Sequence, residues 1–492
     1  MPSSTSPRAS VSSVDLTLTG PAKLEEVTKL MDKLAADLEK IALLPHQRDA
    51  ILEQVKVFGR DPSNADPIFT QQGIETLTRH AFNSPSLTTS RNALRCLANA
   101  LLLKAETRQI FVDLGYEQKA CNKLKNDSRD DEFLVSRIIF LTTYNTNVNL
   151  EKLLDQYHLA EFICQNISRH SKQYTTKHKK ASMDPMDDMS LIETAKLMFN
   201  ITHFCPQKVG SFSPAVLALL ILLTKREISS TKPLDPPIGS LVNALMNLAL
   251  EEKDNVAALF PKSTPTVNID RFVEILDKSV RVYKDDELEH NVSPLLQLIR
   301  KVYEIAPKDV QTHLQTALLP TEEDRKQVLG RTETLSSRLL RLTNNPTTPQ
   351  VRESVSAMFF ELSAKDAKIF VQNVGYGFAS GFLFQHNVPI PENALEAWST
   401  SSESSNARAS QDSKDFAGRV NPITGQFLDM EETPEVEEMT QDEKEREAEK
   451  LFVLFERLKK TGIMNVQNPV EKAFHEGRFE ELPDDDEEDE KK

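Results

Sequence analysis

Glycine is scarce in this chain, 14 residues in 492. Rossmann-type and all-β folds need glycine at phosphate turns and tight hairpins, so both are disfavoured. Cysteine is scarcer still. Cys96, Cys121, Cys164 and Cys205 show neither CxxC nor zinc-finger spacing and sit in apolar, helical contexts. Reduced core thiols are expected, not a metal centre or a disulfide framework. Long apolar runs are missing. The strongest, Ala215 to Leu223, falls well short of the ~20 residues of a spanning helix and reads as a buried one. Met1 to Ser13 is Ser- and Pro-rich without a signal-peptide core, and the ending Asp489-Glu490-Lys491-Lys492 holds no lipidation box. A cytoplasmic chain without direct membrane insertion is the expectation. Phosphate-cradling loops (GxGxxG, or GxxxxGK before Ser or Thr) are absent, as are HExxH and GxSxG. No catalytic residue, metal or cofactor is therefore expected. A basic surplus is also missing. The net charge is −15, and from Asn421 onward about 23 acidic residues face about 10 basic ones. A near-neutral body with an acidic end does not suit nucleic acid.

What is present is a helix written several times. Leu94-Arg95-Cys96-Leu97-Ala98-Asn99-Ala100-Leu101 recurs as Ala195-Lys196-Leu197-Met198-Phe199-Asn200-Ile201 and as Val242-Asn243-Ala244-Leu245-Met246-Asn247-Leu248. Each copy is apolar except for an Asn and a second polar or basic residue four positions earlier, on the same helix face. A repeated helix that cannot bury its apolar face alone must stack on its neighbours. The aligned slots are Asn99, Thr143, Asn200, Asn247, Arg300 and Glu361. Their spacing of about 44 to 61 residues exceeds the armadillo and HEAT period of about 40 to 47 by lengths that fit in loops. The reading is all-α: an armadillo/HEAT-like right-handed helical solenoid over residues 21–390, whose usual work is to hold a partner.

Around the array, residues 1–20 read as disordered and 391–420 as a Ser-rich linker. Residues 421–492 form a mostly extended acidic segment with one or two helices. One amphipathic helix is expected over about 440–460, opened by the capping box Thr440-Gln441-Asp442-Glu443. Ser171 to Ser190 reads as an insertion loop, and its flanking His170 and His178 as solvated.

The polar stripe has two readings. The Asn amides can bond the neighbouring repeat and set the register of the stack. Or Asn99, Asn200, Asn243 and Asn247, with Thr143, can pair with the main chain of a bound helix, since an amide both donates and accepts. Arg95 and Lys196 would then meet a carboxylate of the partner. Leu451, Phe452 and Phe455 on the later amphipathic helix either close the end of the array or clamp the partner.

Phe370-Val371-Gln372-Asn373-Val374-Gly375-Tyr376-Gly377-Phe378-Ala379-Ser380-Gly381-Phe382-Leu383 concentrates three of the few glycines. It reads as a glycine-broken helix–turn–helix where backbones approach closely. The segment resembles the Gly-Tyr-Gly-x-Ala-x-Gly-Leu of the synembryn family, also called resistance to inhibitors of cholinesterase. Asn421-Pro422-Ile423-Thr424-Gly425 looks like that family's Asn-Pro-Val-Thr-Gly. Met439-Thr440-Gln441-Asp442-Glu443-Lys444-Glu445, leading into Leu451 to Leu458, is similar to its Met-Thr-Glu-Glu-x-Lys-Glu and following helix. The motifs run in the family's order, and the ending from Val466 to Leu482 resembles the fungal branch.

The resemblance implies a cytosolic, armadillo-like chaperone and non-receptor guanine nucleotide exchange factor for Gα subunits of heterotrimeric G proteins. It implies binding of the nascent or GDP-bound form, with the Gα C-terminal helix in the groove and the segment after the array on the Gα core. The chain would act as a monomer and reach the plasma membrane only through Gα. In Ser399 to Ser413 the acids of the animal phosphorylation segment are few, so that control is not expected. The alternative is a general armadillo adaptor or scaffold without exchange activity. An import receptor would want Trp along the array, and the single Trp398 lies outside it.

Overall fold

The computed structural model describes residues 17–175, 184–389 and 420–431 apart from 422, together with residues 446 and 450. Among the described residues there are 21 α-helices, no strand, and one isolated antiparallel bridge, Val420 to Phe427. Contacts divide the chain into a compact unit Met1–Met430 and a second unit Glu431–Lys492. Of the expected disordered start, residues 1–16 lie outside the described residues, whereas Leu18 packs against the core and Gly20 already begins a helix. Residues 391–419, Pro422, and Leu451, Phe452 and Phe455 also lie outside, and of the helix expected over 440–460 only residues 446 and 450 are described, both helical.

Six helices form the spine of the first unit, and each carries or ends at one of the aligned slots. They are Leu87–Leu103, Arg129–Thr142, Pro185–Phe204, Ile238–Met246, Ser293–Ile305 and Pro349–Leu362. Each packs on the next, so they stand as six successive rungs. A second row runs beside them: Leu159–Thr175, Val216–Lys225, Val267–Val282 and Leu335–Thr343, again each against the next. Every helix of this row also packs on a rung. Two rows of helices joined pair by pair make a helical solenoid.

Local sequence explains the rung starts. Ser86 and Ser128 cap the first two rungs, their hydroxyls accepting from the amides of Thr89 and Asp131. Asp184 caps the third by accepting from Met186, and Pro185 sits at its first turn, where no amide partner is lost. The third rung is flanked by rungs on two sides and an outer helix on another. Its Leu191, Ala195, Leu197, Met198 and Ile201 are accordingly fully buried. Each such Leu or Ile contributes roughly 1.5–3 kcal/mol of transfer free energy. Pro206–Lys225 matches a membrane span in length and apolar content. Its first half is a 3-10 helix, however, and Val216, Leu219, Leu222 and Leu223 are fully buried against neighbouring helices. All four cysteines are buried and free, as expected.

Several boundaries are set by features that apolar periodicity does not show. The first helix, Gly20–Lys40, stops where Ile41 turns left-handed (φ 49°). The buried carboxylate of Asp37 then accepts from the Leu43 amide at 2.7 Å and from Arg48. Leu150–Asp155 and Leu159–Thr175 are separate helices, broken where His158 takes φ 55°. The presumed loop before Ser190 is shorter, since helices reach Thr175 and restart at Pro185. Lys253–Leu259, Asp285–Asn291 and Lys308–Leu318 are short helices without a long apolar stripe to announce them.

Candidate functional site

The polar slots meet from rung to rung. Between the first and second rungs, Arg95 donates to Asp130 at 2.9 Å and Arg91 to Asp131 at 3.1 Å. Between the second and third, Asn200 donates to the Thr143 hydroxyl at 2.8 Å, accepts from the Tyr144 hydroxyl at 3.3 Å, and is itself buried. Asn247 donates to the carbonyl of Phe199 and the hydroxyl of Thr202, both at 3.3 Å. Lys301 reaches the Leu248 carbonyl. Arg300 grips Glu361 through two nitrogens, at 2.7 and 3.1 Å. Every junction between successive rungs is thus tied by at least one polar contact.

The deepest tie is Glu132, whose side chain is fully buried. It accepts from Arg169 at 2.6 Å and from Thr194 at 2.7 Å, and His170 Nε2 lies 3.0 Å away. Burial alone would raise its pKa. The hydrogen bond and charge of His170, the Thr194 hydroxyl and Arg169 outweigh that and hold the carboxyl below its ordinary range. His170 is therefore not solvated, as its place beside a basic loop suggests, but 4% exposed and paired.

Other residues of the polar stripe keep their groups unspent. Asn99 and Asn243 are half-buried and make no side-chain hydrogen bond within the described residues. Asn243 lines a cleft of about 320 Å³ with Lys196, Asn200, Phe140, Tyr144, Phe199 and His290. Lys196 is paired with Glu193 of its own helix at 3.3 Å, so both cations proposed for a partner carboxylate already hold one in this chain. Beside the cleft runs an aromatic edge. Tyr144 packs edge-on against Phe140 (5.3 Å) and Phe204 (6.4 Å), and His203 stacks on Phe199 (6.1 Å). Tyr144 and Phe204 are 38% and 47% exposed, and Leu102 and Leu103 are exposed at the matching end of the first rung. Apolar groups gathered beside spare amides are what a partner helix with one apolar face requires.

The two glycine motifs, far apart in sequence, meet. Gly375 separates the helices Ala367–Val374 and Tyr376–Gln385 with φ 79°, the expected broken helix–turn–helix. A Cβ on Gly375 would lie 2.9 Å from the Ile423 carbonyl oxygen. The Gly377 amide donates to that same oxygen at 3.2 Å. Residues 420–430 form a strap, closed by Gly425 (φ 70°), whose amide returns to the Asn421 carbonyl at 2.8 Å. Gly381 has open space around it and takes no part, while Tyr376 packs against the core edge. Sequence reading did not single out Arg325, which joins the two motifs. It donates to the Gly425 carbonyl at 3.0 Å and to the Asn373 carbonyl at 2.8 Å, while only 2% exposed. Burial lowers its pKa to about 10, against the pull of adjacent Asp324, so it stays charged at neutral pH. Asp324 is buried too. Desolvation would raise its pKa, but hydrogen bonds from Thr334, the Thr321 amide and hydroxyl, and Thr332 bring it down to about 2. The only sequence signal for this pair was an acid–base dipeptide in a polar loop.

Comparison with known proteins now bears on these motifs. Residues 51–478 match the sequence model of the family described as Ric8, guanine nucleotide exchange factor synembryn. The chain belongs to the synembryn family. A synembryn-like chaperone of Schizosaccharomyces pombe is 25% identical over 363 residues, covering 72% of this chain and 66% of that protein. The chaperone Ric-8A of Macaca fascicularis is 23% identical over 471 residues, covering 90% of this chain and 86% of the relative. The chicken chaperone Ric-8A is 24% identical over 476 residues, with 89% and 86% covered. A solved engineered protein aligns with 56% of this chain at a TM-score of 0.39 and 17% identity, too loosely to bear on the fold. The Gly375 and Asn421 motifs both fall inside the matched span.

Proposed function

We propose that this synembryn is a cytoplasmic chaperone and non-receptor guanine nucleotide exchange factor for the α subunits of heterotrimeric G proteins. It takes nascent or GDP-bound Gα as a monomer and reaches membranes only through it. The family match over residues 51–478 carries this reading. The spare amides of Asn99 and Asn243 and the exposed Tyr144–Phe204 edge support the rung face as the seat of the Gα C-terminal helix.

Exchange by such a seat requires no bond to be made or broken. A surface that binds the C-terminal helix better when it has left the Gα body favours the form that holds nucleotide weakly. GDP then leaves, and GTP rebinding reverses the preference. The acidic segment after Met430 is the second contact, on the Gα core.

Purified Gα loaded with GDP tests this. Substoichiometric amounts of the protein should speed uptake of a GTP analogue, and Gα without its C-terminal helix should bind far more weakly. Unchanged uptake together with equal binding of truncated Gα would sink the proposal and favour an adaptor without exchange activity. Cell fractionation checks the location.

A further inference from the structure

We infer that Arg325 is a positioning residue for exchange: its hold on the strap fixes the point from which residues 431–492 leave the array. The inference rests on the proposed exchange function and adds the device that delivers its second contact.

The clasp is made mainly of backbone. The Leu329 amide donates to Thr424, the Phe427 amide to the Arg325 carbonyl, and the Gly377 amide to Ile423. Gln426 donates to the Lys326 carbonyl at 3.2 Å. Gly425 fits only because it lacks a side chain, since a Cβ there would lie 2.3 Å from Leu329 Cδ1. A buried guanidinium is an expensive way to fill such a site, and well-packed apolar residues usually do as well or better. What Arg325 does that they cannot is to hold two carbonyls at once, Asn373 and Gly425. These lie 48 and 100 residues along the chain from it, so one side chain pins the strap to the end of the array. Neither of these two bonds involves a rung slot.

Chain connectivity gives the pin its consequence. With the clasp closed, residue 431 is tethered at Met430, on the array itself. With it open, the tether to the array lengthens by residues 390–430. The effective concentration of a linked second site falls roughly as the −3/2 power of tether length, so a loss of roughly three- to tenfold is expected. The loss should appear only when a partner uses both contacts.

The full-length Arg325→Ala variant tests this through three readouts. Hydrogen exchange should quicken at the Gly377 and Leu329 amides, which the strap covers. The affinity of a synthetic peptide of the Gα C-terminal helix should stay within about twofold, because the rungs are untouched. The concentration giving half-maximal GTP-analogue uptake on intact Gα should rise roughly three- to tenfold, with the maximal rate retained. Arg325→Lys, which keeps the charge without the planar fork, should fall between. If Arg325→Ala does not fold, Gly425→Ala opens the strap from its own side and is read in the same way. Faster exchange at those amides with unchanged half-maximal uptake overturns the inference. So does a parallel loss of peptide and Gα affinity, which would make Arg325 merely structural. A wild-type protein that binds neither peptide nor Gα fails the proposed function itself, and the positioning role goes with it.

Discussion

The rungs and the clasp both bury polar groups, in opposite ways. On the rungs, side chain mostly meets side chain: Asn200 with Thr143 and Tyr144, Arg300 with Glu361, Glu132 with Arg169, His170 and Thr194, while Asn247 and Lys301 also reach carbonyls. Such ties fix the register of one helix on the next while leaving the backbone in its helical bonds. At the clasp, side chains and amides meet open backbone, because the strap has no helix to satisfy its carbonyls. The first arrangement leaves some stripe residues over, and Asn99 and Asn243 are the remainder among the described residues. The second is spent on backbone carbonyls and serves as an attachment. Amides without a partner among the described residues remain on the rungs, as the proposed seat of a partner helix needs, and the clasp serves as structural support.

That contrast breaks first at Glu132. Glu132→Ala takes the carboxylate from the buried His170 and Thr194 and leaves Arg169 only Asp127 and the Asn126 carbonyl; it should cost about 3 kcal/mol, read as a lower midpoint in urea unfolding. A loss below about 1 kcal/mol would show the rungs to be held by apolar packing alone. The sign with pH follows from the lowered carboxyl pKa: the contribution is present above the ordinary glutamate range and is lost as pH falls through the folded value.

Asp324 comes next. Its pKa is lowered from 3.8 to about 2, so its stabilisation is present above pH ~4 and fades as pH falls towards about 2. Asp324→Asn should cost about 2 kcal/mol at neutral pH, and the gap from wild type should close on acidification through that window. A gap that stays constant with pH would remove the carboxylate as the cause.

Smaller effects separate register from recognition. Asn200→Ala should lose about 1–2 kcal/mol, because the Thr143 and Tyr144 hydroxyls lose their partner, while peptide affinity holds within about twofold. Asn99→Ala should change stability by less than about 0.5 kcal/mol, having no bond to lose, yet weaken Gα binding severalfold. The reverse pattern, a destabilised Asn99 variant with full binding, would erase the distinction between used and spare slots.

Sequence by itself determined the all-α class and the six slots. Apolar periodicity and a polar residue at a fixed helical position are local, and every slot from Asn99 to Glu361 lies in or at the end of a rung. It also determined that Gly375 breaks a helix, since a left-handed turn there is a property of one residue. Only the tertiary structure decided which slots are spent on neighbours, because Asn200 and Asn99 read alike until Thr143 and Tyr144 are placed beside one of them. Nor could spacing show that His170 is buried against Glu132, 38 residues away. The joining of Asn373, beside Gly375, to Gly425 through Arg325 lies furthest beyond the sequence pattern. A contact between backbone and a single guanidinium across 100 residues leaves no periodic trace, only two glycines and a charge that burial alone makes consequential.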